Sequence, residues 1–266
     1  MKLRAAAAIF KRLESIRQTD PELTPANWCR AQPCGRIRFA SREILITQPT
    51  STLFVYALGL LTIGAGIYFL QIRGNELSRL WWGISLLQWG IGALVAGTSY
   101  QAFGYQIKCA EGQTCAWTSW WEVIYLILQQ LSMDAMLVAV AYSCTQGGLR
   151  TALLVYALAT AVAYLLITLV GAIVPVKSLI TFTFMVQVSA PIFLIFLILN
   201  GYRYYTLSDP MDLALLGTWI LLLLTSAAYC LYDDLDITAK LWAKGDGRWF
   251  SQNDVLHIGL IFWIIY

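Results

Sequence analysis

Seven long apolar runs constrain this chain more than any other feature of its sequence. Short polar connections separate them, and they lie at about residues 51–72, 80–103, 120–144, 151–174, 179–200, 213–232 and 249–266. Most approach the length of about 20 residues that crosses the hydrocarbon core of a bilayer. Because a backbone in lipid must satisfy its own hydrogen bonds, the runs are predicted to be helices. The expected fold is an all-α integral membrane protein built as a seven-transmembrane helix bundle.

The composition excludes an ordinary soluble protein. Of the 266 residues 59% are apolar and 12% are charged, whereas a soluble domain carries about 25% charged residues. The net charge of +3 does not indicate nucleic acid, and membrane lipids are the expected partners. The last run is the weakest prediction, because its first turn is polar and spans a bilayer only if it faces the protein interior. That turn consists of Ser251, Gln252, Asn253 and Asp254.

Residues 1–49 are predicted to form an amphipathic helix and an irregular cap, and residues 50–266 the transmembrane domain. The helix, over residues 1–19, is basic and carries one apolar stripe of Leu3, Ala7, Phe10, Leu13 and Ile16. This pattern is typical of a helix that lies on a bilayer surface. Docking of a membrane-protein partner through residues 1–20 is the alternative. Several helix breakers then predict the irregular cap, namely Pro21, Pro25, Pro33, Gly35 and Pro49.

Two signals for membrane orientation conflict. With seven spans, 14 of the 18 Lys and Arg residues lie on the face of the N-terminus, which favours a cytoplasmic N-terminus. The same face carries two close cysteine pairs, which favour disulfides and an oxidising compartment. Free thiols and a four-thiolate zinc site are the alternatives for these residues. The cysteines are Cys29, Cys34, Cys109 and Cys115.

Polar side chains at membrane depth indicate a candidate site. A mid-span aspartate costs roughly 2.5–3.5 kcal/mol on insertion scales, so it normally faces a cavity or a partner. Asp134 lies well inside the third run, and Asn253 and His257, four residues apart, share a face of the last helix. We therefore expect one intramembrane pocket, formed by Gln101, Asp134, Asn253, Asp254 and His257.

The polar set has two open interpretations. It is either a hydrogen-bonded network that holds the second, third and seventh helices together, or a pocket for a ligand or metal. Candidate metal ligands are Asp134, Asp254 and His257. Since His257 is the only histidine, a multi-histidine zinc or iron site cannot be built. The last run contains no lysine for a retinal Schiff base, and buried acids are too few to favour a channel or pump.

The order of several motifs resembles the alkaline ceramidase family, in the superfamily that also holds adiponectin-receptor-type and haemolysin III-type seven-helix proteins. The resemblance covers about residues 27–266, and no single motif is specific. It is carried by Asn27-Trp28-Cys29-Arg30, Ile44-Leu45-Ile46-Thr47-Gln48-Pro49, Gly97-Thr98-Ser99-Tyr100-Gln101, Ser132-Met133-Asp134-Ala135-Met136 and Asn253-Asp254-Val255-Leu256-His257.

The resemblance implies a zinc that activates water for hydrolysis of a lipid amide, held by three histidines with an aspartate and a serine nearby. Only Asp134 and His257 match those groups. Gln101 and Asn253 stand where the other two histidines are expected, and Gly97 replaces the serine. Amide oxygens are poor substitutes for imidazole on zinc. The resemblance therefore implies a degraded zinc site.

The family's calcium-binding acids are replaced as well, by Arg30 and Gln48. The leading hypothesis is a catalytically silent, ceramidase-like protein that binds a lipid-like ligand or serves as a subunit of a membrane complex. No cofactor is expected, with zinc as the less favoured possibility. One alternative is a metal-dependent lipid amide hydrolase that uses the three candidate metal ligands. Another is an ion- or proton-coupled transporter, which rests on Asp134 and Asp254.

Overall fold

Helices dominate the computed structural model of the protein, which describes residues 12–13, 15–18, 22–39, 42–110, 112–242 and 247–266. The expectation of an all-α fold is confirmed in its main features. Most of the predicted amphipathic helix at residues 1–19 lies outside the described residues. The same holds for the alternative docking segment at residues 1–20.

A small cap precedes the bundle and contains the only sheet of the described residues. Helix α1 (Trp28–Ala31) leads into strands β1 (Cys34–Phe39) and β2 (Arg42–Thr47), which pair antiparallel. The prediction of an irregular cap is wrong for this hairpin. Pro33 and Pro49 lie just outside the two strands and therefore do not interrupt the hairpin, and the third breaker predicted here, Gly35, is accommodated within β1.

The cap is held by side-chain contacts as well as by the hairpin. Trp28 is buried, and its indole N–H donates to Thr47 Oγ1 over 3.2 Å. The sulfur atoms of Cys29 and Cys34 lie within disulfide distance, and so do those of Cys109 and Cys115. The second pair packs against Trp28 in one buried cluster. The cysteines therefore form two local pairs.

Six helices are long and apolar enough to cross a membrane, which is compatible with an integral multi-pass protein. Helix α3 (Leu77–Ala96) continues into a π-helical turn at Gly97–Ala102, which the short helix α4 (Gly104–Lys108) follows. A 3-10 turn at Lys177–Ile180 precedes helix α7 (Phe182–Leu207). The six helices are α2 (Pro49–Gln71), α3 (Leu77–Ala96), α5 (Trp120–Cys144), α6 (Gly147–Ile173), α7 (Phe182–Leu207) and α8 (Pro210–Asp234).

The seventh apolar run is not confirmed as a span. After the short helix α9 (Ile237–Trp242), it forms helix α10 (Gln252–Ile265). Its 14 residues rise roughly 21 Å at about 1.5 Å per residue, whereas the hydrocarbon core measures about 30 Å. The helix begins late because Ser251 caps it, so Trp249 and Phe250 stay outside. The polar first turn lies against protein, and both Ser251 and Asp254 are buried.

The helices form a ring with one helix outside it. Helix α3 packs against α2 and α5, α5 against α7, α7 against α8, and α10 closes the ring between α8 and α2. Helix α6 packs on the outside of α5. Helix α5 is the most enclosed. Of its apolar membrane-spanning stretch 72% is buried, against 17% for α6 and for α8. We call the end that carries the hairpin, α4 and α9 the cap end, and the opposite end the far end.

Glycines allow α2 and α3 to approach closely. A Cβ atom built on Gly90 would lie 2.7 Å from the carbonyl oxygen of Gly59 on the neighbouring helix. Real Cβ contacts are not that short, so the backbones touch where no side chain intervenes. Small residues serve this purpose at helix interfaces in membranes. The contact fixes the wall that α2 and α3 give to the ring.

Candidate functional site

A cavity of about 370 Å³ lies inside the ring, toward the cap end. All six ring helices contribute to it, and its volume falls within the range of about 300–1,000 Å³ that is typical of ligand pockets. We call it the bundle cavity. Most of its wall is apolar, formed by residues that include Val55, Leu58, Trp89, Ala93, Met133, Phe182, Met185, Phe193, Leu222, Leu256 and Leu260.

Two polar atoms in the wall of the bundle cavity have no hydrogen-bond partner among the described residues. Gln101 is 2% exposed and its Oε1 is buried without a hydrogen bond, and the same is true of Nδ1 of His257, which is 8% exposed. An unsatisfied buried polar atom costs about 1–3 kcal/mol. Such atoms are rare in native proteins and call for a water, an ion or a ligand. They are the strongest indication that the cavity is a binding site.

The π-helical turn positions Gln101 in this wall. Residues 97–102 make wider turns than the α-helix that precedes them, and π-helical turns occur frequently at functional sites. Tyr100, on the same turn, also lines the cavity, and its ring packs edge-on against Tyr125 of α5 at 6.1 Å between centroids. The irregular end of α3 thus gives the cavity both a polar and an aromatic group.

The first turn of α10 separates Asn253 from Asp254. Asn253 lines the bundle cavity, as does His257 one turn later. Asp254 does not, because its Oδ2 accepts hydrogen bonds from the backbone N–H and the hydroxyl of Ser251, at 2.6 and 3.0 Å. This is a capping box, in which the acid closes the start of the helix. The expectation that Asp254 belongs to the pocket is therefore corrected.

Asp134 also lies away from the bundle cavity. Its Oδ1 accepts from the hydroxyl of Thr160 on α6 at 2.7 Å, and its Oδ2 accepts from Gln130 at 3.3 Å. Met133 faces the cavity, and the next residue points about 100° further round the helix. Gln130 continues the chain of bonds, since its Oε1 accepts from Ser189 at 2.8 Å. Asp134 thus joins α5 to α6, and it does not meet His257.

The assembled residues do not fit a zinc ion. The cavity brings together one imidazole and two amides, from His257, Gln101 and Asn253, and amides are weak zinc ligands. The alternative set of Asp134, Asp254 and His257 is not assembled. Within the described part of the chain, no group of three His, Cys, Asp or Glu side chains is placed to hold a metal. The four-thiolate zinc site is not formed either, because the cysteines lie in two separate pairs.

A buried ion pair beside the bundle cavity is not foreseen from the sequence. Glu122 is 1% exposed at the start of α5, and its Oε1 accepts from Lys108 Nζ and from Ser99 Oγ, both at 2.8 Å. The Lys108 ammonium lies 5.1 Å from the ring centroid of Tyr100. The sequence does contain a signal for this ion pair, namely a single lysine in the connection between two apolar runs, followed by an acid at the start of the second run. This pair supports the wall that carries Tyr100.

A second pocket lies at the cap end, next to the bundle cavity. It measures about 280 Å³ and shares Gln252 and Asn253 with the bundle cavity. We call it the vestibule, and its walls come from the cap, the end of α8, α9 and the start of α10. Its other lining residues are Ala31, Gln48, Tyr232, Asp233, Asp236, Thr238, Ala239, Trp242, Trp249 and Ser251. A polar, aromatic chamber thus adjoins an apolar one.

Known proteins give no assignment for these two pockets. No family model, no curated protein and no solved structure matches this chain.

Proposed function

We propose that this protein is a ceramidase-like membrane protein without zinc chemistry, and that it binds a lipid-like ligand in the bundle cavity. The observation that carries the proposal is a largely apolar cavity with two buried, unpartnered polar atoms, on Gln101 and His257. A role as a subunit of a membrane complex is the alternative. That alternative depends on residues 1–20, which lie mostly outside the described residues.

The wall of the bundle cavity defines the chemistry of the ligand. Aromatic and aliphatic side chains such as Trp89, Met133 and Phe193 suit a hydrocarbon chain, because burying it removes apolar surface from water. Gln101 Oε1 is an acceptor, so a ligand O–H or N–H satisfies it. Nδ1 of His257 accepts or donates according to its tautomer. A ligand with one polar group and one apolar chain therefore fits both parts of the wall.

The resemblance to ceramidases adds support. The three positions that match the zinc histidines line one cavity, with Gln101 on the π-helical turn after α3 and both Asn253 and His257 on α10. A shared ancestral site would place them in this way. The position matched to the aspartate, Asp134, points elsewhere and gives no support. The relation is therefore proposed for the cavity and for the lost metal, and no hydrolytic step is assigned.

A substitution that fills the bundle cavity tests the proposal. Ala93 lines the cavity and is buried, so Ala93→Phe places a ring where the ligand would lie. The matched control is Ala159→Phe, on an exposed position of α6. Each protein is purified in a neutral detergent, washed and extracted, and the bound lipid is quantified by mass spectrometry.

We expect the wild type and Ala159→Phe to retain about one equivalent of lipid-like ligand per chain, and Ala93→Phe to lose most of it, as expected for one saturable site. Thermal unfolding of each protein checks that the variants are folded. Equal retention in all three proteins, or none in any, would show that the bundle cavity is not a lipid site.

We also propose that the cap end faces an oxidising compartment. The two cysteine pairs within disulfide distance both lie there, and disulfides persist in such compartments. The test uses a membrane-impermeant maleimide on intact cells before and after mild reduction. Labelling of Cys109 and Cys115 only after reduction supports this orientation. Labelling without any reduction contradicts it.

A further inference from the structure

We infer that the vestibule binds an alkylated ammonium group, so that the ligand is a cationic amphiphile with its head in the vestibule and its tail in the bundle cavity. The placement of the tail rests on the proposed function above. The placement of the head stands on the vestibule alone, where three independent features favour a cation. They are the charge, the aromatic rings and one unpartnered oxygen.

The first feature is the charge of the lining. Asp233, at the end of α8, and Asp236, just after it, are the only charged side chains that line the vestibule among the described residues. Neither makes a salt bridge within that part of the chain. The nearby Lys240 does not line the vestibule, and its ammonium donates to the carbonyl of Leu235 at 2.7 Å. The lining therefore carries two exposed carboxylates that have no salt-bridge partner among the described residues.

The second feature is a corner of aromatic rings. The rings of Trp242 and Trp249 lie 5.8 Å apart between centroids and at 85° to each other. Their orientation is held, because the first indole N–H donates to the carbonyl of Arg30 and the second to the hydroxyl of Ser51. Tyr232 provides a third ring in the lining. Perpendicular aromatic faces beside carboxylates are the arrangement that recognises quaternary ammonium groups.

The third feature is an oxygen atom without a donor. Gln48 lines the vestibule and is 9% exposed, and its Oε1 is buried with no hydrogen-bond partner. Its amide N–H donates to Gln32 Oε1 at 2.6 Å, so the amide oxygen of Gln48 is the end that does not bond to Gln32. That end is an acceptor with partial negative charge. Asp236 adopts a left-handed backbone, with φ of 50°, which ends α8 and turns the chain toward α9.

The junction of the two pockets determines how one molecule occupies both. Gln252 and Asn253 line both the vestibule and the bundle cavity, so the two pockets are adjacent, and we place the apolar chain of the ligand in the second. Among the described residues, no Asp, Glu, Lys or Arg side chain lines the bundle cavity. The charge of the ligand therefore stays in the vestibule, and its apolar part lies deeper.

The direct test uses the head group without a tail. Choline is titrated into the purified full-length protein in neutral detergent and followed by calorimetry. Its neutral carbon isostere, in which a tert-butyl group replaces the trimethylammonium, is titrated in parallel. Two variants isolate the charges. Asp233→Asn with Asp236→Asn removes both from the lining, and Asp234→Asn removes the adjacent exposed carboxylate that does not line the vestibule.

We expect the isostere to bind roughly tenfold more weakly than choline, since the carboxylates and aromatic faces attract only the cation. The double variant should bind choline at least about threefold more weakly, while Asp234→Asn matches the wild type. Trp242→Leu should weaken choline and leave the isostere nearly unchanged. Equal binding of choline and isostere, or an unchanged double variant, overturns the inference.

The two proposals fail separately. Ala93→Phe fills the bundle cavity and leaves the vestibule open, so it should lose lipid and still bind choline. Choline binding without any lipid retention in the wild type contradicts the proposed function and keeps the head-group site. Lipid retention without selectivity for choline supports the proposed function and contradicts the head-group site.

Discussion

The far end of the bundle and the wall of the bundle cavity differ in how their buried polar groups are satisfied. At the far end, Asn200 donates to Asp212 and accepts from the indole N–H of Trp219, both at 2.9 Å. Arg203 completes this far-end network with an ion pair to Asp212 at 3.0 Å. In the wall of the bundle cavity, Gln101 Oε1 and His257 Nδ1 are also buried, and neither has a hydrogen-bond partner in the described part of the chain.

This difference separates structural polar groups from binding groups. The far-end network satisfies its members within the protein, as buried polar groups normally do. The unpartnered atoms of the bundle cavity destabilise the protein until something binds to them. Strong polar character at membrane depth is therefore not the signal for a site in this molecule. The signal is an unsatisfied polar atom in the wall of a cavity. We therefore expect substitutions in the far-end network and in the bundle cavity to change the free energy of unfolding in opposite directions.

The largest change in stability is expected for a substitution in the far-end network. Asn200→Leu leaves the indole N–H of buried Trp219 without an acceptor and removes one donor from Asp212. An unsatisfied buried group costs about 1–3 kcal/mol, so the free energy of unfolding should fall by roughly 2–4 kcal/mol. Thermal or denaturant unfolding in neutral detergent measures the change.

Thr218→Leu is the matched control for that substitution, because Thr218 bonds only to the carbonyl of Ala214 in its own helix. It should change stability by no more than about 0.5 kcal/mol. If Asn200→Leu lowered stability no more than the control does, the far-end network would not be structural. Its contrast with the bundle cavity would then be wrong.

The sequence predicts the helices of this fold better than their rotation. Apolar length alone identifies α2, α3, α5, α6, α7 and α8, because lipid forces a long apolar run into a helix. The hairpin at residues 34–47 is missed because closely spaced prolines indicate a loop, and only the register shows that they flank the strands. The predicted seventh helix starts too early, because hydropathy does not reveal the local hydrogen bonds by which Ser251 caps the helix.

The candidate site depends on that rotation. The sequence places Asp134 and His257 at membrane depth, but a shift of about 100° per residue decides which neighbour each one faces. Asp134 therefore meets Thr160, whereas Met133 faces the bundle cavity. The vestibule is beyond prediction for another reason. It joins Gln48 to residues of α8, α9 and α10 that are almost 200 positions away, and no local pattern connects them.

In the bundle cavity we expect substitutions to raise the free energy of unfolding instead of lowering it. Gln101→Leu and His257→Leu each replace an unpartnered polar group with an apolar one, which removes its burial cost. The ligand-free protein should become more stable by up to about 1 kcal/mol, with lipid retention reduced. Such an exchange of stability for binding is common at functional sites. A loss of stability as large as that of Asn200→Leu would show that these atoms have structural partners.

The smallest effect on stability and ligand binding is expected at Asp134. This residue tests whether a buried acid carries the function because it lies at membrane depth, or only supports the fold because its neighbours satisfy its hydrogen bonds. Asp134→Asn retains an acceptor for the Thr160 hydroxyl and loses one favourable contact to Gln130, so stability should change by about 1 kcal/mol or less. Lipid retention and choline binding should stay at the wild-type level, because Asp134 lines neither pocket. A transporter or a metal-dependent hydrolase that uses this carboxylate would instead lose its activity. Asp134→Asn therefore distinguishes an acid that only joins α5 to α6 from one that carries the function, and lost ligand binding would return Asp134 to the site.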